Sequence, residues 1–452
     1  MKLKIHEIAQ AVGAKNDISQ LKDTPINTIE FDSRLIKEGD LFLPLKGNRD
    51  GHDFIPVAFE NGALITFSEK EVDYPHLLVE DTLLAFQTLA KYYLEKMAVS
   101  VIAVTGSNGK TTTKDMIAAI LSTTFSTYKT QGNYNNEIGL PYTILHMPDN
   151  TEKLVLEMGQ DHLGDIHLLS TIAKPDISVV TLIGEAHLAF FGSRKKIAKG
   201  KLQIADGMKE KGLLLVPNDP ILEDFLPNNQ EVIKFGPETD LAVNNLKEYK
   251  DYLTFSLNFI DGEIYLPVTG KYNATNAMVA AYVASRLGVS DVKIKSALKN
   301  IILTKNRTQW KKAKNGADIL SDIYNANPTA MRLILETFSS LEKPENSKKI
   351  VVLADMKELG EASKSLHEKI ITSLNPDQLD DVYFYGEEIY PLYQLALKKF
   401  PEERVVFFSK NNLVDEISQL IERVKERLEP QDQILLKGSH SMNLEKLIEA
   451  IE

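Results

Sequence analysis

Short β-branched runs alternate with stretches of helical periodicity through most of this chain, a rhythm that predicts parallel strands covered by helices. Val101-Ile102-Ala103-Val104 reads as a strand, followed by a glycine-rich turn and a helix from about Lys110 to Leu121. Leu154-Val155-Leu156, Ile177-Ser178-Val179-Val180 and Leu213-Leu214-Leu215-Val216 read as further core strands, each ending near polar residues. Open α/β sheets hold their ligands at such strand ends.

Between about Leu246 and Val268 the pattern changes. Tyr252 to Leu257 and Ile264 to Leu266 alternate on either side of Asp261-Gly262, a hairpin signal. From Ile319 the strand and helix alternation resumes, with strands expected near Ile350 to Leu353, Val382 to Tyr385, Val405 to Phe408 and Ile434 to Leu436. That stretch reads as a separate doubly wound domain. Phe31 to Leu45 mixes short strands with turns and lacks a long helix after each strand, which predicts a small α+β domain at the N-terminus. The expectation is an α/β protein of three domains, over 1–80, 81–311 and 312–452. A chain of 452 residues is too long for one core of ordinary size.

Composition removes several function classes. The 43% hydrophobic and 25% charged fractions are ordinary for globular chains. No apolar run approaches the roughly 20 residues of a spanning helix. Met1 to Glu7 lacks the apolar stretch of a secretory signal, so the expected location is cytoplasmic, without embedding in a membrane. The absence of cysteine excludes disulfides, thiolate zinc sites and cysteine nucleophiles. A net charge of −11 with no long basic block argues against nucleic acid as a partner. An anionic substrate would have to be met locally, by helix N-termini, particular basic residues or metal ions.

One loop has that chemistry. Thr105-Gly106-Ser107-Asn108-Gly109-Lys110-Thr111-Thr112 lies between a strand and a helix. Glycines let the backbone approach phosphate, and the helix N-terminus offers unpaired N–H groups. Lys110 would reach the terminal phosphates and the Thr111 hydroxyl would ligate magnesium. Val104 stands five positions before Gly109, so this is a shortened form of the common phosphate loop. The plain alternative is a glycine turn with a solvated lysine, against which the strand and helix context weighs. Glu157 follows one core strand and His187 follows the strand Ile177 to Leu182, so both should rise at the same sheet edge. Asn273 and Asn276 sit three apart at a helix start, on one face, where they serve as caps or as ligand contacts.

The loop resembles the ATP site of the Mur ligase superfamily, which also includes folylpolyglutamate synthases. Gly132-Asn133-Tyr134-Asn135-Asn136-Glu137-Ile138-Gly139-Leu140-Pro141, Gly184-Glu185-Ala186-His187-Leu188 and Tyr324-Asn325-Ala326-Asn327-Pro328 narrow the resemblance to its D-alanyl-D-alanine-adding branch, over about Asp32 to Met442. The resemblance implies a UDP-sugar domain, a central P-loop parallel-sheet ATPase domain and a Rossmann-like C-terminal domain that closes on nucleotide and binds the amine. It implies ATP-dependent ligation of UDP-N-acetylmuramoyl-tripeptide to D-alanyl-D-alanine through an acyl phosphate, by a monomer.

The same resemblance places one magnesium on Thr111 and Glu157 and a second on Glu157 and His187. It puts a carbamylated lysine at Lys201, although Gln203 replaces the acidic residue often found nearby. Asn273 and Asn276 would contact adenine, with Tyr272 where histidine is usual. Arg307, preceded by Asn306 in place of glycine, would approach the phosphates, and Asp322 would hold the ribose. Asn133, Asn136, Tyr324, Asn325 and Asn327 are expected at the substrates, Ser33 and Arg34 at the uridine diphosphate. Lys437-Gly438-Ser439-His440 has His440 in place of an arginine and stays outside the catalytic set of Lys110, Glu157, His187, Lys201 and Arg307. Two other readings remain: a ligase of the same superfamily adding a diamino acid or glutamate, and a nucleotide-switched binding protein. The latter has no need of Glu157, His187 and Lys201 together.

Overall fold

The computed structural model describes residues 3–304, 307–411 and 413–452, so Asn306 lies outside the described residues. Its centre is a six-stranded, all-parallel sheet in the spatial order Glu231–Phe235, Leu213–Pro217, Ile177–Val180, Ser100–Thr105, Lys153–Glu157, Thr127–Lys129. Side chains alternate across a strand. Val101 and Ala103 therefore enter one core while Ile102 and Val104 enter another. Burial on both faces explains why these strands read as unbroken apolar runs.

One face is covered by Lys110–Leu121 and Tyr272–Arg286, which pack on each other. Ile117 and Ile120 are fully buried there, and truncating either to alanine would cost about 2–5 kcal/mol. The opposite face shares a continuous core with the N-terminal sheet through Thr82–Met97, which buries Phe86, Leu89 and Tyr93. Four short strands make that N-terminal sheet: Ile29–Glu30, Leu41–Phe42, Ile65–Ser68 and His76–Leu78, all parallel. Two of them are only two residues long, which is why the alternation around Phe31 to Leu45 is so weak.

Val243–Glu248, Leu253–Leu257 and Ile260–Leu266 form an antiparallel sheet whose inward Leu253, Phe255 and Leu257 join the core of Tyr272–Arg286. The hairpin is present, but its turn is at Asn258-Phe259 and not at Asp261-Gly262. Leu257 pairs with Ile260 and Ser256 with Glu263, so Asp261 and Gly262 bulge out of the strand, with Gly262 at φ 83. The left-handed conformation that marks a tight turn serves a β-bulge here.

The C-terminal sheet runs Gln309–Lys312, Asp318–Asp322, Gln433–Lys437, Lys349–Ala354, Asp381–Tyr385, Val405–Phe408, parallel except for its first pair. Gln309–Lys312 is an edge strand of largely polar sequence, which hydrophobic patterning does not find. Among the described residues no helix is long and apolar enough to cross a membrane.

Candidate active site

Chain order reverses around Ser100–Thr105: its neighbours are Lys153–Glu157 on one side and Ile177–Val180 on the other. The glycine-rich loop thus emerges at a switch point, with Glu157 ending one flanking strand and the segment toward His187 leaving the other. Gly106 has φ +145, and a Cβ there would collide with Thr181 Oγ1. That hydroxyl donates to Asn108 O at 2.6 Å, and Ser107 N donates to Leu182 O at 2.7 Å, so the loop is tied to the adjacent strand end. Gly109, at φ +83, opens the helix Lys110–Leu121 where a Cβ would stand 2.8 Å from Asn276 Oδ1. The Lys110 amine folds back to donate to Gly106 O at 2.8 Å. Burial pushes its pKa below the ordinary lysine range, Arg307 adds to that, and Glu157 and Asp161 oppose it.

Glu157 Oε1 accepts from Asn135 Nδ2 at 2.9 Å, whereas Oε2 is buried without a hydrogen-bond partner, 3.9 Å from Lys114 Nζ. The Thr111 hydroxyl accepts from Arg307 Nη2 at 3.2 Å. Among the described residues no three His, Asp or Glu side chains group as a metal cage. Magnesium ordinarily takes one or two carboxylates, with phosphate and water completing its shell. An unsatisfied carboxylate oxygen in the same cavity as the loop threonine fits that pattern. His187 sits at φ +60 with Nδ1 2.7 Å from Glu358 Oε2, across the boundary to the C-terminal domain, and 3.3 Å from Asp161 Oδ1. Lys201 is 1% exposed. Burial, then Lys110, holds its pKa well below the usual value against the pull of Asp161 and Glu157.

On the far side of the cavity, Asn276 Nδ2 donates to Asn273 Oδ1 at 3.1 Å and Asn273 Nδ2 to Thr269 O at 2.8 Å. The Tyr272 hydroxyl is 2.7 Å from Thr308 Oγ1, and burial, then Asp322, raises its pKa. Thr308 N donates to Asp322 Oδ1 at 3.3 Å, while Lys437 Nζ reaches Asp322 Oδ2 at 2.6 Å and Asn325 O at 2.7 Å. The Arg307 guanidinium lies 4.0 Å from the centre of the Tyr324 ring.

One cavity of about 340 Å³ brings together Ser107 to Thr112, Asn136, Glu157 and His187 from the central domain and Asn273 and Asn276 from its helix Tyr272–Arg286. Arg307, Asp322, Tyr324 and Asn325 close it from the C-terminal side. Asn136 also accepts from Gly139 N at 2.8 Å, capping the following helix. Other expected residues lie off the lining. Gly106 and Lys201 back the site without facing the cavity, Asn133 is exposed on its loop, and Asn327 caps the helix Pro328–Ser340. No described lining residue precedes Ser107, so Ser33 and Arg34 are outside this cavity. Arg34 makes a bidentate pair with Asp32, at 2.9 and 2.6 Å, with 84% of its side chain exposed. Pattern reading missed Lys114, Asp161 and Glu358. A lysine four positions after Lys110 in an otherwise buried helix was the only available signal.

Residues 104–284 match the model of the Mur ligase middle domain, 306–440 that of the Mur ligase, glutamate ligase domain, and 25–106 that of the Mur ligase family, catalytic domain. The chain belongs to the Mur ligase family. A relative from Bacillus subtilis (strain 168), UDP-N-acetylmuramoyl-tripeptide--D-alanyl-D-alanine ligase, is 38% identical over 99% of this chain and 98% of its own. A crystal structure of MurF from Acinetobacter baumannii superposes with a TM-score of 0.88 at 30% identity, covering 99% of this chain and 98% of that one. MurF ligase from Thermotoga maritima in complex with ADP gives 0.81 at 31% identity, covering 94% and 96%.

Proposed function

We infer that this chain is an ATP-dependent ligase that joins the terminal carboxylate of UDP-N-acetylmuramoyl-tripeptide to D-alanyl-D-alanine in cytoplasmic peptidoglycan precursor synthesis. The observation that carries the reading is the meeting of Lys110 and Thr111 of one helix, Glu157 at a strand end and Arg307 beyond the central sheet around one cavity. The substrate carboxylate oxygen bonds the γ-phosphorus of ATP and ADP leaves. The amine nitrogen of D-alanyl-D-alanine then bonds the acyl carbon and gives up a proton as inorganic phosphate departs.

Lys110, Arg307 and the N-terminal amides of the helix at Lys110 receive the phosphate charge, whose stabilisation is the main demand of phosphoryl transfer. Held by Thr111 and Glu157, with His187 at a second ion, magnesium would supply further neutralisation of the phosphate oxygens. With Nδ1 on the Glu358 carboxylate, His187 would ligate through Nε2, the carboxylate fixing the ring. Asn273 and Asn276 face the adenine and Asp322 the ribose. Tyr324 and Asn325 stand on the acceptor side, with Asn133, Asn136 and Asn327 along the peptide approach. Ser33 and the exposed guanidinium of Arg34 would take the uridine diphosphate, on a loop braced by Glu30.

Lys201 is carbamylated in this reading. Its buried amine, held toward the neutral form, adds to carbon dioxide and releases one proton. The product anion would support a cation held beside Glu157 and would sit as an opposite charge near the Lys110 ammonium.

ADP release measured with UDP-N-acetylmuramoyl-tripeptide, with and without D-alanyl-D-alanine, tests the assignment. Turnover should require both substrates. Turnover with a single amino acid would replace the acceptor, and ATP binding without substrate-dependent release would remove the ligase reading altogether.

A further inference from the structure

Asp115 lies outside the cavity just described, yet it is 2% exposed on the helix that begins at Lys110. Burying a carboxylate is costly unless its oxygens are satisfied. Asp115 Oδ1 accepts from Lys129 Nζ at 2.6 Å and stands 3.4 Å from Lys114 Nζ. Its Oδ2 accepts twice from one residue, Thr304: from the hydroxyl at 2.7 Å and from the backbone N–H at 3.2 Å. Burial alone would raise the carboxyl pKa, but Lys114, Lys129 and Thr304 together hold it below its usual value.

Thr304 belongs to the chain segment that leaves the central domain, and Arg307 follows three residues later. Arg307 Nη2 meets Thr111 Oγ1. Thr111 and Asp115 are four apart on one helix, hence on the same face, about 6 Å along the axis. Thr304 and Arg307 therefore both bond to one stripe of the phosphate-loop helix, Thr304 at Asp115 and Arg307 one turn earlier. Beyond it, Thr308 is held by Tyr272 and Asp322, and the chain enters the edge strand Gln309–Lys312. Three residues span at most about 11 Å, so anchoring Thr304 confines where the Arg307 guanidinium can lie.

We propose that Asp115 is a positioning residue: it holds Thr304, three residues before Arg307, and so confines Arg307 to its place over the phosphate loop. The proposal rests on the reading of Arg307 as a phosphate contact. Asp115 touches neither substrate nor nucleotide, and its effect on the reaction passes through Arg307.

A double-mutant cycle on the full-length chain tests this, with ADP release as the readout and thermal midpoints taken for each variant. In the parent, Asp115→Asn and Thr304→Val should each lower kcat about tenfold with little change in the KM for ATP. In an Arg307→Ala background the same substitutions should change kcat less than about twofold, because the group they position is gone. Equal losses in both backgrounds would overturn the proposal and leave Asp115 a packing residue. A silent Thr304→Val would also overturn it, and that variant decides the matter if Asp115→Asn does not fold. If Arg307→Ala is itself silent, the phosphate reading fails, a pattern distinct from additivity.

Discussion

The side-chain amides of Asn108 and Asn327 hold each other reciprocally, Asn108 Nδ2 donating to Asn327 Oδ1 at 3.2 Å and Asn327 Nδ2 to Asn108 Oδ1 at 2.7 Å. Asn327 Oδ1 also accepts from Ala330 N at 2.9 Å, capping Pro328–Ser340. One residue of the phosphate loop is thereby tied to the first helix of the C-terminal domain. Glu185 and Thr329 add a second link at 2.6 Å.

Asn108→Ala removes only the interdomain pair, whereas Asn327→Ala also removes a helix cap. The second variant should therefore be less stable than the first by about 1 kcal/mol. Both should turn over more slowly. Thermal denaturation of the two variants side by side checks the order, and equal midpoints would show that the cap contributes nothing.

Lys110→Met should reduce kcat by at least about 100-fold, the order of loss when a preorganised donor to transition-state charge is removed. Stability should stay level or rise, because burial already disfavours the Lys110 ammonium. Calorimetry without nucleotide reads the second effect. A marked drop in midpoint would mean that the Gly106 contact organises the loop.

Lys201→Ala should be inactive and partly rescued by short carboxylic acids, which replace the carbamate anion. In the parent, labelled bicarbonate should give a carbamate carbon signal that the variant lacks. Full activity of the unrescued variant would exclude the modification.

Acid should loosen the C-terminal domain through His367. Its Nδ1 donates to Ser363 O at 2.9 Å, so Nε2 must be unprotonated to accept from Met356 N at 3.0 Å. Burial pushes its pKa below the ordinary 6.5. The unfolded chain thus takes up a proton before the folded one does. This contribution is complete above pH 6.5 and is lost as pH falls toward the folded value, by at most about 1.4 kcal/mol per pH unit. Half-buried His146, its pKa also lowered by desolvation, acts in the same direction. Midpoints measured between pH 7.5 and 5.5, taken as about one unit either side of the histidine value, should fall, and less steeply in His367→Gln. An unchanged slope would remove His367 from the account.

Gly106→Ala should abolish nucleotide binding, since the φ of +145 and the collision with Thr181 Oγ1 both oppose a side chain. Equilibrium binding of ADP is the check. Retained affinity would show that the loop has another working conformation.

Local sequence was enough to determine the central strands, the Lys110 helix and the glycine-rich loop, because β-branched runs, helical periodicity and glycine act within a few residues of themselves. Motif resemblance extended that to Glu157, His187, Asn273, Arg307 and Asp322, which the fold gathers at one switch point. Gln309–Lys312 escaped notice because a polar edge strand carries no apolar pattern, and Asp261-Gly262 misled because φ > 0 serves a bulge as well as a turn. Only the tertiary structure decided that Asn327 grips Asn108, that Glu358 faces His187, that Glu30 is bound by Tyr142 at 2.9 Å, and that Asp115 anchors Thr304. Each is a contact between residues far apart in the chain, and its energy depends on distances that pairing of strands and packing of domains create, not on the residues flanking either partner.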